Sequence, residues 1–227
     1  MTPETEQIET QKIELKKDVP FKNQKMIPVI RTQTTEAALW LSQALLKRGV
    51  QVLELTLTVP NVLEVAQKLK QDYPHASLGL GTIIQPESLV ENLTHGFDFY
   101  VSPVMNPAML AMAKEHDVRL IPGCATPSEI AMAQGLGYHW VKLFPISSLG
   151  GEGFIKQVSA IFPEMRWMPT GGVHLKDLPR YDHPAIGAIG IGQAGCSAEE
   201  LARRDEKALD RFMAALASAR GMIQERP

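Results

Sequence analysis

Cysteine is scarce in this chain. Cys124 and Cys196 are the two in 227 residues, and they have no Cys-x-x-Cys spacing. One disulfide is conceivable but unsupported, and a reducing, cytoplasmic setting is the expectation. The six histidines are scattered, without a His-x-His or His-Glu-x-x-His pattern, so no metal and no cofactor are expected. No apolar run is long enough to span a bilayer, and the first residues lack the apolar segment of a secretory signal. Neither sign of charge dominates. Twenty-three Lys and Arg against 25 Asp and Glu leave a formal net charge of −2, which gives no electrostatic case for nucleic acid or an anionic membrane as partner.

What remains is an ordinary soluble composition, 44% apolar and 21% charged. Residues 1–24 differ from the rest. They are charged and weakly periodic and read as an N-terminal extension, either frayed or a short capping helix. From Met26 onward short aliphatic runs alternate with helix signals. Ile27–Ile30 leads to a helix over 35–47 with Ala38, Leu41 and Leu45 on one face. Val52–Leu57, Leu78–Gly81, Asp98–Ser102, Arg119–Pro122, Trp140–Phe144, Arg166–Met168 and Ala185–Ile191 follow as strands, each with a helical stretch behind it. Asn106-Pro107 and Thr126-Pro127-Ser128-Glu129 mark helix starts. The last helix is expected over about 198–217. Eight such units with short loops predict one α/β domain over 25–227, a (β/α)8 TIM barrel, with a doubly wound open sheet as the alternative.

Two charged residues interrupt the apolar strands. Lys142 stands within Trp140-Val141-Lys142-Leu143-Phe144, and Glu54 within Val52-Leu53-Glu54-Leu55-Thr56-Leu57. A low-dielectric site favours the neutral amine, which is a nucleophile toward carbonyls. The competing reading is a structural ion pair, or a lysine whose stem alone is buried. Strand residues alternate between faces, so Val52, Glu54 and Thr56 share one face and Trp140, Lys142 and Phe144 another. The all-aliphatic faces suit a helical layer, which turns Glu54 and Lys142 toward a common interior. Barrel sites are built at the C-terminal strand ends. Those ends carry Arg31, Glu54 with Thr56, Thr82, Ser102-Pro103, Gly123, Lys142, Thr170-Gly171-Gly172 and Gly190-Ile191-Gly192. The two glycine-rich turns either bind an anion through backbone N–H groups or simply close tight loops.

Taken in order and spacing, Val52–Leu57, Gly79-Leu80-Gly81-Thr82, Val101-Ser102-Pro103, Ile121-Pro122-Gly123, Lys142-Leu143-Phe144-Pro145 and Pro169-Thr170-Gly171-Gly172 resemble the 2-keto-3-deoxy-6-phosphogluconate and 4-hydroxy-2-oxoglutarate aldolases. The resemblance spans about Ile27 to Gly192. It implies a class I, metal-free aldolase of Entner-Doudoroff type on a (β/α)8 barrel, a homotrimer, cleaving a 2-keto-4-hydroxy acid to pyruvate and an aldehyde. By the same resemblance Lys142 is the Schiff-base lysine and Glu54 the general acid/base. Thr82 holds the pyruvyl carboxylate, with Arg31 beside it. Thr56, Pro103 and Phe144 belong to the pocket. Thr170, Gly171, Gly172 and Gly192 receive the distal phosphate or its equivalent.

Three positions depart from the family pattern, and all concern grip on substrate. Thr58 stands where an arginine is common, Gln193-Ala194 where Gly-Ser is common, and Ile146-Ser147 where Ala-Glu is usual. They keep two other readings open. One is a phosphate-binding barrel of isomerase or decarboxylase type with Lys142 as a cation. The other is a non-catalytic ligand-binding barrel. Cys124, near the expected mouth, reads as a wall residue.

Overall fold

The computed structural model describes residue 21 and residues 24–221. The capping helix expected within the N-terminal extension falls on residues 1–20, which lie outside the described residues. Beyond it the alternation of strand and helix is present along the chain. β1 (Met26–Ile30) leads to α1 (Thr35–Lys47), β2 (Val52–Thr56) to α2 (Val62–Asp72), and β3 (Ser77–Gly81) to α3 (Pro86–Glu91). β4 (Phe99–Val101) leads to α4 (Pro107–Glu115), and β5 (Leu120–Ile121) with β6 (Gly123–Cys124) to α5 (Pro127–Gly135). β7 (Trp140–Leu143) leads to α6 (Glu152–Ile161), and β8 (Arg166–Pro169) to a 3-10 stretch, Leu175–Tyr181. β9 (Ile189–Gly192) leads to α7 (Ala198–Ala202) and α8 (Glu206–Gly221).

Local chemistry accounts for the helix starts. The Asn106 side chain accepts from Ala108 and Met109 N–H ahead of Pro107. Thr126 and Glu129 form a reciprocal capping box. Two elements differ from expectation. The fifth strand is divided at Pro122, because proline has no N–H to give the ladder. The Pro122 carbonyl still accepts from Lys142 N at 2.8 Å, which ties the divided strand to β7. The final helix is broken at residues 203–205. Asp205 turns its carboxylate back to the N–H of Lys207 at 2.9 Å, and Arg204 takes φ +52°.

All strand pairs are parallel. Six strands run β5-β4-β3-β2-β1-β9, and three run β6-β7-β8. Isolated parallel bridges, Trp167 to Ile186 and Thr170 to Gly190, run from the β8 side toward β9. The fold is therefore α/β with a parallel sheet. No helix among the described residues is long and apolar enough to cross a membrane.

Strand parity separates two cores. Leu53, Leu55, Val141 and Leu143 belong to the large core shared with the helices. Ile27, Val52, Phe99, Val101, Ile121, Met168 and Ala188 form a smaller core on the other strand faces, with Trp140 against it. Glu54 and Lys142 continue the Val52 and Trp140 faces one step toward the C-terminal ends.

The smaller core is plugged by Phe21, which is 5% exposed and meets Phe99 and Trp140 edge-on at 5.4 and 5.3 Å. Gln24 secures the entry to β1. Its amide donates to Met26 O and Val52 O at 2.9 and 2.8 Å and accepts from Gln51 N and Val52 N. All of its capacity is used, as a buried amide requires. Phe21→Ala removes a buried ring and its two edge-on aromatic contacts. It is expected to lower unfolding stability by about 3 kcal/mol in urea titration.

Candidate active site

Lys142 on β7 and Glu54 on β2 face each other. Nζ lies 3.6 Å from Oε1, with the side chains 3% and 0% exposed. That is ion-pair range but longer than a hydrogen bond. Neither carboxylate oxygen of Glu54 has a hydrogen-bond partner. A buried carboxylate without hydrogen bonds is costly to keep. Here it stands next to an amine, with acceptor capacity to spare for a hydroxyl between the two. Space for it is made on β3, since a Cβ at Gly81 would collide with Oε1. The ring of Phe144 lies 5.3 Å from Nζ and presents its face to the amine.

Beside this pair sits a second unit. Arg31, just past β1, donates from its guanidinium to Thr82 Oγ1 at 2.9 Å, just past β3. Thr82 holds φ +66°, a left-handed conformation that a β-branched residue adopts at a cost of about 1–2 kcal/mol. Such strain persists only where the surroundings impose it. Gln193, past β9, donates its amide to the carbonyl of Arg31 at 2.6 Å. It ties the ends of β1 and β9 together.

The other candidate residues divide. Pro103 approaches the divided strand so closely that a Cβ at Gly123 would strike its backbone. Gly171, at φ +91°, packs under the Phe144 ring, where a Cβ would come within 3.0 Å. Thr56 is spent on structure: its hydroxyl donates to Ile30 O at 3.0 Å and is bonded to Thr58 at 2.8 Å. Thr170 turns its hydroxyl back to Met168 O at 3.2 Å. Gly172 and Gly192 lie exposed at the ends of the β8 turn and β9. The roles of Gly81 and of Gln193 as a tie were not read from the sequence. Gly81 lies inside Gly79-Leu80-Gly81-Thr82, whereas Gln193 and Arg31 are 162 residues apart and no local pattern joins them. Cys124 is 1% exposed, and burial followed by the Glu129 carboxylate pushes its thiol up to about 12. It stays protonated at neutral pH and packs in the large core shared with the helices.

A family model for KDPG and KHG aldolase matches residues 18–212. The 2-dehydro-3-deoxy-phosphogluconate aldolase of Pseudomonas aeruginosa is 34% identical over 164 residues, which cover 72% of this chain and 74% of that one. Among solved structures, the KDPG aldolase of Legionella pneumophila, with pyruvate captured at low pH as a covalent carbinolamine intermediate, superposes with a TM-score of 0.78. It is 30% identical and covers 87% of this chain and 95% of its own. The 2-keto-3-deoxy-6-phosphogluconate aldolase of Zymomonas mobilis, solved with 3-phosphoglycerate, gives 0.75 at 26% identity, covering 86% of this chain and 92% of that one.

Proposed function

The chain belongs to the KDPG and KHG aldolase family, and from that premise we propose that it is a Schiff-base aldolase cleaving a short 2-keto-4-hydroxy acid to pyruvate and an aldehyde. One observation carries the assignment of roles. Lys142 is a buried amine placed 3.6 Å from a buried carboxylate that no hydrogen bond occupies.

In this reading the Lys142 amine adds to the C2 carbonyl, giving a carbinolamine. Loss of water, with a proton supplied by Glu54, gives the protonated imine. Glu54 then takes the C4 hydroxyl proton, directly or through water. The C3–C4 bond breaks, the aldehyde leaves, and the electron pair passes into an enamine. A proton returns to C3, and hydrolysis of the imine releases pyruvate and the free amine. Arg31 and Thr82 hold the pyruvyl carboxylate, with a charge-assisted bond from the guanidinium. Pro103 and Phe144 wall the pocket. The strained Thr82 and the Gln193 tie keep that carboxylate grip in place before substrate arrives, so less ordering is left for binding.

The two sheets form one barrel of eight strands in this reading, with β5 and β6 as halves of the fifth. The β8-to-β9 bridges and the shared inner core support that closure. A single domain over residues 25–227, a cytoplasmic setting and a homotrimer belong to the same proposal on the family resemblance. Pyruvate release from 4-hydroxy-2-oxoglutarate, followed with lactate dehydrogenase and NADH, is the test. Turnover is expected, unchanged by EDTA, because the proposed electron sink is an imine. Folded protein that releases no pyruvate from any 2-keto-4-hydroxy acid would sink the assignment.

A further inference from the structure

We propose that the distal tail of the substrate is received by a polar cavity suited to a neutral, hydroxylated carbon chain rather than to a phosphate. The inference rests on the aldolase reading above. A cavity of about 310 Å³ opens between the loops after β7 and β8, with Ser147, Gly172 and Tyr181 in its wall alongside the charged Glu152, Asp177 and Arg180. One wall residue, Gly172, leads toward the candidate active site. Gly172 ends the Thr-Gly-Gly turn, Gly171 before it packs on the Phe144 ring, and that ring lies 5.3 Å from Lys142 Nζ.

The charges in this wall decide what it takes. It holds one cation and two carboxylates. Arg180 is already engaged with Glu152 at 3.3 Å, and no cation is paired with Asp177 among the described residues. A phosphate dianion placed there meets net negative charge. Hydroxyl groups meet partners of both kinds: the carboxylates accept, Arg180 donates, and the Ser147 and Tyr181 hydroxyls do either. Tyr181 is 9% exposed, and its hydroxyl has no hydrogen bond among the described residues although it borders the cavity. A phenol hydroxyl at a cavity wall can donate to or accept from a ligand hydroxyl. Ser147 packs directly on Gly172, where a Cβ would collide with its Oγ, so its hydroxyl stands beside the turn.

The end of β9 offers no substitute grip on phosphate. Ala194 is buried and has no hydroxyl, and the Gln193 amide is committed to Arg31 O. Both residues hold positive φ, +50° and +53°, where glycine would allow close approach of a ligand and these side chains do not.

The test compares kcat/KM for 2-keto-3-deoxygluconate and for the same sugar acid carrying a 6-phosphate, on the full-length wild-type protein. The unphosphorylated acid is expected to be turned over at least as efficiently. Asp177→Asn, which removes one negative charge and keeps the shape, is expected to move the ratio about tenfold toward the phosphorylated acid. A wild-type preference of more than tenfold for the phosphorylated acid, or an unmoved ratio in Asp177→Asn, overturns the inference. If pyruvate is still trapped by borohydride in that case, the aldolase reading stands without it. Absence of both the trapped adduct and any turnover removes both.

Discussion

Lys142→Ala is expected to reduce aldol cleavage to background while the chain still folds. Without the amine no imine forms, and the electron pair left by C3–C4 cleavage has nowhere to go. The substitution also leaves Glu54 as a buried carboxylate with no counter-charge. A stability loss of about 3–5 kcal/mol is therefore expected, and urea unfolding must accompany the kinetics. Lys142→Arg separates chemistry from charge, because it keeps a cation beside Glu54 but does not form an imine under these conditions. Background activity in both variants supports the Schiff-base role. Substantial activity in Lys142→Arg would instead make the group at 142 an electrostatic partner, as in an isomerase or decarboxylase.

Glu54→Gln is the second large effect. The amide matches the carboxylate in shape, so the space beside Gly81 stays filled. What is lost, on the proposed mechanism, is the ability to exchange a proton with the carbinolamine and the C4 hydroxyl. A positioned general acid/base contributes typically ~10²–10⁴-fold, and kcat is expected to fall within that range. KM should change far less, since the proposal gives the carboxylate grip to Arg31 and Thr82. Turnover equal to wild type would reduce Glu54 to a charge partner of the lysine.

Much of this arrangement could be read from strand parity. Misplaced charges at Glu54 and Lys142 stand on the faces opposite Leu53, Leu55, Val141 and Leu143. The helical layer claims those aliphatic faces, which leaves the charged pair on the inner side. Capping chemistry at Asn106 and Thr126 was equally local and equally legible. The bounds of α1, Thr35–Lys47, agree with its apolar periodicity. The exceptions arise where a residue acts at a distance or in two ways. Pro122 looks like the end of a strand but sits in the middle of a divided one. Asp205 resembles one more polar residue on a helix face, yet it caps the next helix. β9 begins at Ile189 rather than Ala185. In the approach to it, Gly187 lies so close to Trp140 that a Cβ would strike the indole. Gln193 reads in the sequence only as a departure from Gly-Ser, and the tertiary structure shows it holding Arg31.

The central claim, that Lys142 forms a covalent imine with the keto acid, is open to one direct measurement. Full-length protein is incubated with excess pyruvate and sodium borohydride, its intact mass is recorded, and the modified peptide is mapped. The account predicts one reduced pyruvyl group per chain, on Lys142, and none on Lys142→Ala. Folded protein of unchanged mass, or a group carried by another lysine, would contradict it.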